Sequence, residues 1–283
     1  MVTPFQANGK VDFVSLEKLV KHLHTGADYM VVMGTTGEAV TLSENEQFEV
    51  LDFILKVNAG KLPVVYGMGG NNTADIVDQM RRFNRAGVTA YLSASPAYNK
   101  PSQEGIYHHY KALSSASSLP IILYNVPGRT ACNVLPDTVL RIAKNCNNVV
   151  AIKEAAGSIP QVMELSRILP DSFLLLSGDD DLALAHLACG GHGIISVVGN
   201  AYPRLFSSII SDCINGEFTK ARKNHFKLLP LISNLFAEGN PAGIKEALKH
   251  LGICENQMRL PLYPVSKSLS DVIKQQVEEL KAI

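Results

Sequence analysis

Short apolar runs rich in β-branched residues recur along most of this chain, each followed by a segment of helical character. DYMVVMG, LPVVYGMG, GVTAYLSAS, LPIILYNVP, NNVVAIKEA, SFLLLSGDD and GHGIISVVGN follow one another at roughly 20 to 35 residues, the spacing of successive βα units in a parallel sheet. Closing a barrel takes one strand more, and the only candidate is the opening MVTPF, a stub without apolar residues upstream. The expectation is α/β, a (β/α)8 TIM barrel whose first strand is truncated; a doubly wound open sheet is the structural rival. With 283 residues, 46% of them hydrophobic, the chain is long enough for one large core.

After about residue 216 the β pattern stops. EFTKARKNHFKLLPLISNLF, NPAGIKEALKHLG and SKSLSDVIKQQVEELKAI read as three helices, so residues 1–216 are expected to form the barrel and 217–283 a C-terminal helical appendage. Asn240 and Pro241 suit the N-cap and first helical position, with Gly252 closing that helix. Earlier, Ser43 and Glu46 make a capping box, and NNTADIVDQMRRFNRAG ends on a glycine suited to a C-cap.

The charge balance excludes several partner classes. Lys+Arg and Asp+Glu both total 26, which gives neither a nucleic-acid footprint nor a polybasic membrane anchor. Five scattered cysteines with no C-x-x-C pair fit reduced thiols. No stretch approaches a membrane span, and MVTPFQANGK lacks a basic start followed by an apolar segment. A cytoplasmic protein acting on a small molecule is expected, with the Asn71-Asn72-Thr73 sequon unglycosylated.

In such a barrel the active-site groups gather at the C-terminal strand ends. Here the runs end in GTTGE, GMGGNN, SPAYNKP, YNVPGRT, KEA and SGDDD, a concentration of hydroxyls, phenols, one guanidinium and one lysine. Lys153 ends an otherwise apolar strand and is followed at once by Glu154. On residue type alone its stem would be buried and its ammonium would snorkel to water; the company at the other strand ends favours a nucleophile. A lysine attacks a carbonyl only as the free amine, and desolvation at the mouth of an apolar barrel favours that form. The resulting Schiff base is an electron sink whose α-carbon can lose a proton and add to an aldehyde, the chemistry of an aldolase or lyase. Tyr124, at a neighbouring strand end, suits a proton shuttle, although phenols also pack as core.

The other signals are weaker one by one. GTTGE offers backbone amides and two hydroxyls for a carboxylate or phosphate but lacks the G-K-[ST] ending of a P-loop. Arg129 could grip a carboxylate bidentately, although a loop arginine is more often solvated. The pairs His22/His24 and His108/His109 lie in helical segments without a convincing third metal ligand. Asp179 to Asp181 read as a helix N-cap rather than an ion site.

Taken together, VTPF, GTTGE, SPAYNKP, YNVPGRT, IKEA, SGDD and GGHGIISV, in this order, resemble the pyruvate-dependent aldolase family that includes dihydrodipicolinate synthase and N-acetylneuraminate lyase. The resemblance spans essentially the whole chain. It implies that Lys153 forms a Schiff base with pyruvate and that Tyr124, Thr35 and Tyr98 make a proton relay, Tyr98 reaching in from a neighbouring subunit. Thr36 and the Ile195 backbone would hold the pyruvate carboxylate, with Gly178 also on the substrate. Arg129 after YNVP resembles the synthase group that binds the carboxylate of aspartate β-semialdehyde. The implied product is 4-hydroxy-tetrahydrodipicolinate, on the route to lysine and diaminopimelate. The implied assembly is a homotetramer, a dimer of dimers, with neither cofactor nor metal.

Two departures stand out. Family members have a fuller first strand before VTP. Lysine-sensitive members bind lysine with groups that here are Glu44, Gln47 and Ala97, while Asn71 is retained and Asp75 shortens the usual glutamate; the missing tyrosine ring removes a large contact surface, so feedback by lysine is expected to be weak or absent. The rival functions are a pyruvate aldolase acting on sugar acids or 4-hydroxy-2-oxo acids, and a catalytically dead barrel retained for binding.

Overall fold

The computed structural model describes residues 1–281. All seven apolar runs are strands: β1 (Met30–Val32), β2 (Val64–Gly67), β3 (Val88–Ala94), β4 (Ile121–Asn125), β5 (Val149–Glu154), β6 (Leu174–Ser177) and β7 (Gly193–Ile194). They lie in one sheet in sequence order, β1 to β7, and the ladders from β3 to β7 are parallel. A doubly wound sheet reverses its strand order at a switch point. This order has no reversal, so the rival topology is excluded.

MVTPF is not a strand. Its one backbone bridge is antiparallel, Phe5 to Val11. Even so, the Met1 amine donates to the Val31 carbonyl at 2.7 Å, and the Val2 N–H donates to Asn200 Oδ1 at 3.0 Å. The segment is therefore held to β1 on one side and to the turn after β7 on the other, without forming a ladder of its own.

By contacts the chain divides into two compact units, Met1–Val64 with Ser196–Ile283, and Val65–Ile195. The first carries helices α1 (Phe13–Leu23) and α2 (Glu44–Asn58). In the second, α3 (Thr73–Arg82), α4 (Gln103–Ala116), α5 (Pro127–Thr130), α6 (Pro136–Asn145), α7 (Ile159–Ile168) and α8 (Ala183–Ala188) alternate with strands. The chain then returns to the first unit with α9 (Pro203–Ile214), α10 (Phe218–Phe236), α11 (Ala242–His250) and α12 (Lys267–Lys281). The three C-terminal helices are those expected. The Ser43–Glu46 capping box forms in full at the start of α2.

In the Val65–Ile195 unit the core lies along β4, buried at every residue, against Tyr91, Ile106, Tyr110 and Leu113 from β3 and α4. The alternation of buried apolar strands and amphipathic helices gives each helix one face to cover the sheet.

Three local expectations need correction. Helix α3 ends at Arg82 with Phe83 as C-cap, short of Gly87, because the Phe83 ring leaves the helix to stack on Tyr66 at 5.3 Å and to meet the Tyr91 ring edge-on at 5.4 Å. Gly87, at φ +96°, instead turns the chain into β3. Helix α11 starts at Ala242, with Pro241 rather than Asn240 as the capping residue, since the Asn240 side chain is used elsewhere. The run Asp179 to Asp181 is not an N-cap: α8 is preceded by Leu182 and receives no side-chain cap.

Candidate active site

The register of β4 against β5 pairs Tyr124 with Lys153 and Asn125 with Glu154. Side chains alternate along a strand, so Tyr124 and Lys153 share one face of the sheet while Asn125 and Glu154 share the other. The Lys153 Nζ lies 4.3 Å from the centre of the Tyr124 ring. Tyr124 is buried and Lys153 half-buried, so the amine keeps access to a ligand while its stem lies among apolar strands. The Tyr124 ring, with its hydroxyl, thus lies directly beside the amine.

The neighbouring strand end supplies room. The Gly178 N–H donates to the Glu154 carbonyl at 2.7 Å, and a Cβ built at Gly178 would meet Lys153 Cε at 2.8 Å and Ala155 Cβ at 2.7 Å. Only glycine leaves the lysine its path. Beyond it, Asp179 accepts the Gly157 N–H at 3.2 Å. Burial and the nearby Asp181 push the Asp179 carboxyl up, against the pull of the Gly157 amide and Lys153.

Thr35 and Thr36 belong to the Met1–Val64 unit, in a single 3-10 turn, Thr35–Gly37. The Asn240 Nδ2 donates to Thr36 Oγ1 at 3.0 Å, so the Thr36 hydroxyl has its own proton left to donate to an anion. The Thr3 hydroxyl donates to the Gly37 carbonyl at 2.7 Å. Glu38, at φ +55°, turns its carboxylate onto the Lys245 ammonium in an ion pair with both side chains fully buried. Lys245 also donates to the Gln257 carbonyl at 2.8 Å and lies 4.4 Å over the Phe5 ring. Burial pushes the Glu38 carboxyl up and the Lys245 ammonium down, each opposed by its partner's charge.

The remaining expected residues stand differently. Arg129, in the single turn α5, is exposed. Tyr98 is 90% exposed at φ +71°, a backbone conformation costly for an aromatic residue. The preceding Ala97 N–H is fixed by Asn71 Oδ1 at 2.9 Å. The Ile195 N–H donates to the Ser177 carbonyl at 2.8 Å, so the amide is engaged in the sheet; the carbonyl left over is an acceptor, which does not suit the expected hold on a carboxylate. Lys153, Tyr124 and Gly178 are thus brought together, while Arg129 and Tyr98 stand at the surface.

Sequence reasoning missed Glu38, Asn240 and Lys245. The signal was a lysine on the apolar side of a helix in NPAGIKEALKH, which reads as an ordinary helix residue. The histidines are held by protein partners: His22 Nε2 lies 2.9 Å from the Ala201 carbonyl, His24 Nε2 3.0 Å from Asn58 Oδ1, and His109 Nδ1 2.9 Å from Thr73 Oγ1, while His108 pairs with Glu104. Among the described residues no three His, Cys, Asp or Glu side chains form a metal-holding group, and no helix is long and apolar enough to cross a membrane.

Similar proteins are known along the whole length of the chain. The sequence profile described as the dihydrodipicolinate synthetase family matches residues 1–280. The chain is 46% identical to 4-hydroxy-tetrahydrodipicolinate synthase of Flavobacterium psychrophilum over 96% of its own length and 93% of the relative's. It is 41% identical to that of Neisseria meningitidis serogroup B over 95% and 92%. Among solved structures, dihydrodipicolinate synthase of Thermotoga maritima superposes with a TM-score of 0.96 at 39% identity, covering all of this chain and 97% of that one. The Acinetobacter baumannii enzyme complexed with pyruvate superposes with a TM-score of 0.96 at 37% identity over 100% and 97%. With a lysine laid over a tyrosine ring at adjoining strand ends, and likeness running from end to end, the chain belongs to the dihydrodipicolinate synthetase family.

Proposed function

We propose that the chain condenses pyruvate with L-aspartate β-semialdehyde to give 4-hydroxy-tetrahydrodipicolinate, through a Schiff base on Lys153. The observation that carries this reading is the half-buried amine 4.3 Å from the Tyr124 ring, with Gly178 leaving it space. The Lys153 amine attacks the pyruvate keto carbon, and loss of water gives the iminium. Loss of a methyl proton gives the enamine, whose carbon bonds to the aldehyde carbon while the aldehyde oxygen takes up a proton. The substrate's own amine then attacks the iminium carbon, closing the ring and releasing Lys153.

Tyr124 is the proton carrier beside the amine, with Thr35 and, from a neighbouring subunit, Tyr98 completing the relay. The exposed ring of Tyr98 on its strained backbone supports a role toward another subunit, within a homotetramer built as a dimer of dimers. The Thr36 hydroxyl donates to the pyruvate carboxylate, with Gly178 and the Ile195 backbone bordering the ligand. Arg129 binds the carboxylate of the semialdehyde, which favours this substrate over sugar acids. The sheet is read as part of a TIM barrel in which MVTPF stands in the place of the first strand, and the scattered cysteines suit the cytoplasm.

Borohydride added with pyruvate is expected to leave a reduced adduct on Lys153, and the purified protein is expected to consume aspartate β-semialdehyde only when pyruvate is present. Lys153→Ala should abolish both, and Arg129→Ala should raise KM for the semialdehyde while pyruvate trapping stays unchanged. A folded protein that borohydride leaves unmodified would overturn the reading.

A further inference from the structure

Behind the Lys153 and Tyr124 strand ends lies a closed polar network. Glu154 and Asn125 are fully or almost fully buried, 2% and 0% exposed. The Asn125 Nδ2 donates to both Glu154 oxygens, at 3.1 and 2.9 Å. Glu154 Oε1 also accepts the Ala156 N–H at 2.8 Å, and Oε2 accepts Gln161 Nε2 at 3.0 Å. Asn133 joins in: its Oδ1 accepts from Asn125 at 2.8 Å and from Gln161 at 3.2 Å, and its Nδ2 donates to Gln161 Oε1 at 2.8 Å. The Asn125 Oδ1 accepts the Val134 N–H at 3.0 Å.

Every donor to Glu154 is neutral, and both its oxygens accept, so the carboxylate form fits and a proton on either oxygen would face an N–H. Burial pushes this carboxyl up, and the Asn125, Gln161 and Ala156 donors pull against that. A buried charge neutralised by no cation is costly to keep. That cost is set against what the network joins: the residue after Tyr124, the residue after Lys153, and the far end of the segment that carries Arg129.

We propose that Glu154 and Asn125 are positioning residues, a clamp on the back of the sheet that fixes the aim of Lys153, Tyr124 and the Arg129 loop at once. This rests on the Schiff-base reading of Lys153. The clamp touches no substrate; it acts by holding three site-bearing segments in one register, and misplacing a reacting group by about 1 Å can cost on the order of 100-fold in rate.

The test compares wild type with Glu154→Gln, Asn125→Asp and the Asn125→Asp/Glu154→Gln double variant. Glu154→Gln turns one acceptor into an NH2 group facing donors, and Asn125→Asp sets two carboxylates together. In the double variant the new amide at position 154 can donate to the new carboxylate at position 125 while its oxygen keeps the Ala156 N–H; the Gln161 and Asn133 amides then turn over, so that Gln161 Oε1 accepts from position 154 and Asn133 Nδ2 donates to position 125. Each single variant is expected to lose roughly 10- to 100-fold in the pyruvate-dependent borohydride trapping rate and in kcat, with a rise in KM for the semialdehyde. The double variant should regain activity to within about 3-fold of wild type, a rescue that a merely structural role restoring only melting temperature would not give. If a single variant fails to fold, Gln161→Ala removes one donor to Glu154 together with its two bonds to Asn133 and should lose roughly 3- to 10-fold in trapping rate. Folded variants with wild-type trapping and kinetics, or a double variant no better than the worse single, would overturn the clamp. Failure of the wild type itself to trap pyruvate would overturn the Schiff-base reading, and the clamp with it.

Discussion

Gly178→Ala tests how much room the lysine needs. The added Cβ would sit 2.8 Å from Lys153 Cε and 2.7 Å from Ala155 Cβ, whereas carbon atoms in contact prefer about 3.5 to 4.0 Å. The deficit at Lys153 is therefore roughly 0.7 to 1.2 Å. Ala155 Cβ moves only with its backbone, so that contact is relieved by a shift of the strand-end backbone, while at Lys153 the flexible side chain yields. Gly178 is not at positive φ, so the substitution acts by bulk and not through backbone strain. A displacement of about 1 Å predicts a loss on the order of 100-fold in kcat and in the rate of borohydride trapping with pyruvate, and overpacking should destabilise the fold by about 1 to 3 kcal/mol. Stopped-flow trapping with stability by urea denaturation would read both. Gly193→Ala is the control, because its Cβ would meet Leu176 Cδ2 at an ordinary 3.6 Å. Trapping within about 2-fold of wild type in a folded Gly178→Ala protein would refute the claim that this glycine makes room for the lysine.

Other outcomes follow from buried charge and titration. Lys245→Met leaves Glu38 buried without its ammonium and should cost about 3 to 5 kcal/mol in urea denaturation, much of it regained in Lys245→Met/Glu38→Gln; equal stability of the single and double variants would count against the pair. Burial lowers the His109 imidazole to about 4. The unfolded chain thus takes up this proton first as pH falls, so the contribution is complete above about pH 6.5 and is lost between there and about pH 4, on the order of 3 kcal/mol. Melting across that range should show the slope, and His109→Gln should flatten it. Lysine at submillimolar concentration should leave turnover largely intact, since Glu44, Gln47 and Ala97 stand where the family resemblance implies lysine-binding groups in sensitive members; half inhibition in that range would contradict this.

The seven strands are legible because parallel strands buried on both faces read as unbroken apolar runs, and Ser43 with Glu46 announces a helix start by local chemistry alone. That Lys153 and Tyr124 stand side by side is legible because each ends one of two successive apolar runs, which pair in the sheet. The end of helix α3 is not, because Phe83 answers to Tyr66 and Tyr91, rings outside its own helix. Asn240 and Thr36 are 204 positions apart, and no periodicity of either segment points to the other.

What the sequence determined by itself was the alternation of strand and helix, the order of the strand ends and the residue types standing on them. These depend on burial patterns and turn chemistry within a few residues. The tertiary structure alone decided which polar groups meet: Lys245 with Glu38, Asn240 with Thr36, and Asn125 with Glu154 behind the lysine. A buried polar group must find its partner in space, and the register of strands and the return of the last helices set that partner.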